Sequence, residues 1–413
     1  MPTDLTIVAC RNTVVLRFAV DGGTDTRKGE DMTNDITRFR IDIPQADLDD
    51  LASRLANARW TDPGPGEDGE YGVSLSEVRR LAEYWRDGYD WRAWEARLNE
   101  YPQYTTEIDG QRIHFLHVRS PEPDAFPLIL THGWPGSVVE FLSLIDPLTN
   151  PAAHGGDPAD AFHLVIPSLP GFGFSGPTTD RGWGTLRTAK AWAELMRRLD
   201  YERYGTHGND GGSMISPEVG RLDPAGVAGV HVTQIFSFPS GDPAEFAGMS
   251  QEDMAAMQVL QWFMENKFSF NQLQSQQPQT LAHALADSPT GLLGWNAQLF
   301  SGDAMGDRKL DDDFILTQVA LYWLTGTAGS SMRFYYENAK ALAQGALSSA
   351  PTIVPIGLAS FEGDFKSIRR FAERDHKNIA QWHTYQEPGG HYAAHLEPEL
   401  MAKDLRGFFR GLR

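Results

Sequence analysis

One stretch constrains the fold of this chain more than any other: Gly205-Thr206-His207-Gly208-Asn209-Asp210-Gly211-Gly212. A β-prone run ends there, and a single carboxylate, Asp210, stands among small residues. A sharp strand-to-helix turn strains its central residue and tolerates no bulk two positions before or after it. Gly208 and Gly212 occupy those two positions. Such a turn belongs at the C-terminal edge of a parallel sheet, where it lifts its central side chain clear of the backbone. It also frees the next amide, that of Gly211, to stabilise an oxyanion. A carboxylate at the centre attacks alkyl carbon and leaves an ester on the protein, which suits strained ethers or alkyl halides better than peptides. Taken alone, Gly-Asn-Asp-Gly-Gly is also an ordinary turn composition.

The rest of the chain supplies the sheet this turn requires. Phe126 to Leu130 and Phe162 to Ile166 are continuous apolar runs, hence buried parallel strands. A helix is expected over Val138 to Leu144, another is marked by Leu186, Ala189, Ala193 and Met196, and a third follows the turn to about Leu222. Pro217 should kink that third helix or shorten its start. Strands are expected at Val227 to Ile235, Ile353 to Phe361 and Ile379 to Tyr385, with a last helix from about Pro398 to Leu412. Alternating strands and helices in this order predict an α/β fold with a mostly parallel, doubly wound sheet.

Residues 1–36 lack either periodicity and read as a flexible tail, with Met32 as an alternative start. Residues 37–104 read as a helical region wrapping the core. Pro44 opens a helix striped by Leu48, Leu51 and Leu55, and Ser74 with Glu77 forms a capping-box pattern before Val78, Leu81 and Trp85. Thr105 to Val118 reads as a hairpin turning at Asp109-Gly110. The core occupies residues 105–237 and 349–413. Between them, 238–348 lose strand signals and gain helical spacing, as a helical cap inserted over the active edge would.

Composition narrows the partners. A net charge of −19 over 413 residues argues against nucleic acid and anionic membrane surfaces, which both need basic patches. One cysteine, Cys10, excludes an intramolecular disulfide and points to the cytoplasm. No apolar run approaches the roughly 20 residues of a membrane span. A small-molecule substrate is the expected partner, and a homodimer is compatible with the chain.

Three features must converge on Asp210 for chemistry to follow. His391, between Gly390 and Tyr392 after the last strand, is placed as a base; His395 is its nearest competitor. Asp364, after the penultimate strand, is placed to orient it, with Glu362 and the more distant Asp375 as rivals. The chain order Asp, acid, His is that of the α/β hydrolases. His132-Gly133-Trp134-Pro135 turns tightly after a buried strand and should expose the amide of Trp134 opposite that of Gly211.

With these residues in view, the chain resembles the epoxide hydrolases of the microsomal type, from Phe39 to the C-terminus. The likeness is carried by Phe39 to Trp60, Tyr84 to Leu98, His132 to Ser137 and Pro167 to Ser175. It continues through the Asp210 turn, Asp287 to Leu292, Ser330 to Glu337 and Gly389 to Leu400. The resemblance implies an α/β-hydrolase fold with an N-terminal epoxide hydrolase region and a cofactor-independent reaction without metal. It further implies Asp210 as nucleophile, His391 as base, Asp364 as its partner and Tyr335 as the acid that protonates the epoxide oxygen. The residues alone do not separate Tyr335 from Tyr336; the Arg333-Phe334-Tyr335 context selects the first.

The chain departs from the family pattern in three places. Gly211 stands where an aromatic is common, which should open space beside Asp210 for a bulky apolar epoxide. Asn209 stands where glycine is usual. A second cap tyrosine is replaced by Phe270, counted back from Gln274 and Pro278. Phe270, Trp134 and Asn209 are therefore expected to line the substrate pocket. A haloalkane dehalogenase would share an Asp nucleophile but needs side-chain donors for halide, often from the residue after it. A non-hydrolytic binding protein would have no need of Asp210, Asp364 and His391 together.

Overall fold

The computed structural model describes residues 36–300, 310–346 and 350–413. The readings of residues 1–35 as a tail and of Cys10 fall outside them.

Nine strands form one sheet in the order β1-β2-β3-β5-β4-β6-β7-β8-β9. They are β1 (Thr37–Phe39), β2 (Gln103–Ile108), β3 (Gln111–Val118), β4 (Phe126–Thr131), β5 (Phe162–Pro167), β6 (Tyr204–Gly208), β7 (Val227–Val232), β8 (Ile356–Phe361) and β9 (Ile379–Tyr385). The first three run antiparallel, and β5 through β9 are parallel. The division follows from connections. Ile108 pairs with Gln111 across a two-residue turn, and Asp109 and Gly110 both take positive φ, as a tight hairpin demands. The parallel strands instead require helical crossovers. Strands β5 to β8 are buried at every residue, which is why β5 reads as an apolar run without alternation.

The helices are α1 (Gln45–Ala56), α2 (Leu75–Asp87), α3 (Trp91–Leu98), α4 (Leu142–Thr149), α5 (Thr185–Arg198) and α6 (Gly211–Leu222). Then come α7 (Gln251–Asn266), α8 (Ser269–Gln276), α9 (Pro278–Asp287), α10 (Pro289–Phe300), α11 (Asp312–Leu324) and α12 (Ala328–Ala343). The chain closes with α13 (Arg369–Asp375), α14 (Ala393–Leu396) and α15 (Pro398–Phe409). Two expectations need correcting. Val138 to Phe141 is a 3₁₀ turn, and the α-helix starts only at Leu142. Pro217 lies inside α6 and does not shorten its start, which is at Gly211.

At the head of α2, Ser74 Oγ accepts from the Glu77 amide, while Glu77's own carboxylate bonds Arg80. Helices α1–α3 meet the helices inserted between β7 and β8. Arg80 bonds Asp312 at 2.5 and 2.8 Å, Tyr84 bonds Asp313, Tyr89 bonds Thr317 and Arg54 bonds Asp287. Trp85 and Leu81 are buried in the same seam.

Candidate active site

The turn after β6 owes its shape to steric exclusion. A Cβ on Gly208 would lie 2.0 Å from the Gly212 carbonyl oxygen, and one on Gly212 would lie 1.9 Å from that of Thr131. Both contacts are with backbone, so no side chain can yield. Between them Asp210 takes φ 52° and ψ −119°, a region that costs an L-residue on the order of 1–3 kcal/mol. Its amide donates to Gln234 Oε1 at 2.9 Å, which anchors the strained residue to the loop after β7.

Four strand ends converge here, as open α/β sheets require of their sites. The loop after β4 brings the Trp134 amide, which donates to Asp210 Oδ1 at 2.9 Å. The Gly211 amide at the start of α6 also hydrogen-bonds the Asp210 carboxylate. The loop after β8 brings Asp364, with a side chain only 3% exposed. The turn after β9 brings His391, whose Nδ1 lies 3.1 Å from Asp364 Oδ1 and whose Nε2 lies 3.8 Å from Asp210 Oδ2.

The electrostatics divide the two carboxyls. Burial pushes Asp210 above its ordinary value, against the pull of His391 and the two amides. Burial works in the same direction on Asp364, yet His391, Gln234 and the Phe365 amide hold it below the usual range. Burial alone would lower His391. Asp364, with Asp210 and Glu140, instead lifts it to about 9.

The competing residues lie elsewhere. His395 stacks on Phe314 at 4.0 Å and faces Asp311. Glu362 pairs with Lys366, and Asp375 with Arg374. Tyr335, on α12, packs its ring edge-on against Trp134 and Phe270, each 6.0 Å between centroids. Tyr336 lies beneath the Lys340 ammonium. Burial, and then the charge of Asp210, push the Tyr335 hydroxyl well above its ordinary value. Phe270 lies on α8 and stacks on Trp134 at 5.6 Å and 14°.

Asn209 is held at both ends of its amide. Its Nδ2 donates to the His391 carbonyl, and its Oδ1 accepts from Thr233 and Gln234, because the turn aims it beneath the site. The room expected beside Gly211 is filled: a Cβ there would meet the Phe334 ring at 3.3 Å. Sequence reasoning also missed Gln234. Its oxygen accepts from the Asp210 amide and the Ser213 hydroxyl, and its nitrogen donates to Asn209 and Asp364. A polar residue near the end of an expected buried strand was the available signal.

A carboxylate raised at a strained strand end, two amides aimed at it and a histidine–carboxylate pair beside it define the α/β-hydrolase class. The family profile described as alpha/beta hydrolase fold matches residues 127–372, and that of the epoxide hydrolase N terminus matches 36–141. A Stigmatella aurantiaca (strain DW4/3-1) protein bearing a provisional epoxide hydrolase name is 44% identical over 383 residues, 92% of this chain and 86% of that one. Epoxide hydrolase 1 of Sus scrofa is 31% identical, over 94% and 91% of the two chains. The solved structure of Aspergillus niger epoxide hydrolase superposes with a TM-score of 0.81 at 30% identity, covering 92% of this chain and 98% of that one. The chain belongs to the epoxide hydrolase family. Among the described residues, no helix is long and apolar enough to cross a membrane.

Proposed function

We propose that the chain converts an apolar epoxide to a vicinal diol through an ester on Asp210, with Tyr335 as acid and His391, steadied by Asp364, as base. The reading rests on one observation above all: Asp210 Oδ1 is held by the Trp134 amide while Oδ2 faces His391 Nε2 at 3.8 Å. A carboxylate so held presents an oxygen to carbon. As the new C–O bond forms, the epoxide C–O bond breaks, and the departing alkoxide takes the Tyr335 proton.

The charges then change in the direction the second step needs. Esterification removes the negative charge of Asp210, one of those that lift His391, so the imidazole loses its proton more readily. Neutral His391 takes a proton from water, whose oxygen attacks Asp210 Cγ. The resulting oxyanion meets the Trp134 and Gly211 amides, each worth about 3 kcal/mol to such chemistry. Collapse breaks the bond between Asp210 Cγ and the alkoxy oxygen, His391 returns its proton to the leaving diol oxygen, and the proton left on the Asp210 carboxyl restores the Tyr335 hydroxyl spent in the first step.

Trp134, Phe270, Phe334 and Tyr335 form the aromatic surround of Asp210 and favour an apolar epoxide. Because Phe334 fills the place beside Gly211, that position lends no support to a bulky substrate. A single cysteine supports a cytoplasmic enzyme, and a homodimer is compatible with this reading. One turnover of styrene oxide in ¹⁸O-water tests the mechanism. The label should enter the Asp210 carboxylate and not the diol, and label appearing first in the diol rules out the ester.

A further inference from the structure

Glu140 has no part in the steps above, yet it is buried beside them. It lies on the 3₁₀ turn Val138–Phe141, just after the loop that carries Trp134, and is 1% exposed. Its side chain folds back on that loop, because a Cβ on Gly136 would lie 2.5 Å from its Oε2. Its Oε1 has no hydrogen-bond partner among the described residues. A second buried polar atom shares this condition. The hydroxyl of Tyr392, the residue after His391, is also without a partner, and Glu140 is the foremost charge acting on it.

An unsatisfied buried polar atom costs about 1–3 kcal/mol, and a protein rarely carries two in one place without use. Glu140 acts through its charge on both His391 and Tyr392, and two unpartnered polar atoms beside a base are the kind of partners an ordered water takes. We propose that Glu140, with Tyr392, holds the water that His391 turns on the Asp210 ester. The inference rests on the ester mechanism above and deepens it. One water hydrogen goes to His391 Nε2 as the oxygen bonds Asp210 Cγ; the other hydrogen bonds Glu140 Oε1 throughout, so Glu140 is a positioning residue and gains no proton.

The test separates the two half-reactions by rapid-quench and intact-protein mass with styrene oxide. In Glu140→Gln, ester formation should stay within about threefold of wild type, while ester hydrolysis falls about tenfold and the ester accumulates. Glu140→Leu, which keeps no acceptor, should slow hydrolysis further, and Tyr392→Phe should slow it less. If Glu140→Leu does not fold, Glu140→Gln and Tyr392→Phe decide alone. Hydrolysis at the wild-type rate in Glu140→Gln and Tyr392→Phe, or an equal fall in both half-reactions, overturns the proposal. His391→Gln serves as reference: if it gains no mass, the ester mechanism itself has failed. If it gains mass and the Glu140 variants hydrolyse normally, only the role of Glu140 is lost.

Discussion

His391 Nε2 stands 3.8 Å from Asp210 Oδ2, too far for a direct hydrogen bond and close enough for both to address one small molecule between them. A histidine so placed serves the breakdown of the ester and not its formation. His391→Gln should therefore alkylate and then stall, with intact protein heavier by one epoxide. A variant that binds substrate and never gains mass would move His391 to the first step.

The partner of His391 is open to a ranked comparison. Asp364→Asn should slow ester hydrolysis by about a hundredfold, because the buried carboxylate that fixes and charges the imidazole is gone. Glu362→Gln, altering a carboxylate paired with Lys366, should change turnover less than twofold. Steady-state kcat for both variants checks this, and the reverse ranking would transfer the role.

Phe270 and Tyr335 make edge contact at 6.0 Å, so a single hydroxyl faces the reacting oxygen from this pair. Tyr335→Phe should lower the pre-steady-state alkylation rate at least a hundredfold, the cost of losing a donor aimed at developing charge. Phe270→Tyr should accelerate opening of a small epoxide. Near-normal alkylation by Tyr335→Phe would assign the proton to another group.

Gly211 and Phe334 should behave as a coupled pair. Gly211→Trp alone forces an indole against the Phe334 ring and should destabilise the fold by about 1–3 kcal/mol, as overpacking does. Adding Phe334→Ala should recover much of that loss. Thermal melts of the two singles and the double measure the coupling; strict additivity would mean that the two sites do not share space.

The His391 pKa also carries a stability signature. A value raised to about 9 from an unfolded value near 6.5 gives stabilisation that is complete below about pH 6.5 and is lost as pH rises through 9. The stability difference between wild type and His391→Gln should shrink over that window, by on the order of 3 kcal/mol at most. Urea titrations at pH 6, 7.5 and 9 would show it, and a constant difference would contradict the raised value.

The parts legible in the sequence were those enforced locally. Gly208 and Gly212 announce the strained turn because backbone atoms on both sides leave no room for a Cβ. Strands β4 and β5 announce themselves because burial on both faces demands nearly unbroken apolar runs. What was not legible depends on partners far along the chain. Phe334 arrives beside Gly211 from α12, and nothing near Gly211 foretells it. Gln234 reads as an ordinary residue near the end of a strand until four polar groups gather on its amide. Glu140 lies in a stretch expected to be helical, which is instead a 3₁₀ turn that buries all four of its residues.

The seam between α1–α3 and the inserted helices bears on how this scaffold can be re-engineered. Arg54, Arg80, Tyr84 and Tyr89 all take their partners from Asp287 to Thr317, so the roof of the site is built from two stretches of sequence about two hundred residues apart. Grafting the insertion alone onto another hydrolase would remove the Arg54, Arg80, Tyr84 and Tyr89 contacts and the apolar packing of Leu81 and Trp85. The transferable unit is the insertion together with its N-terminal brace, and chimaeras cut between them should be insoluble where chimaeras carrying both are not.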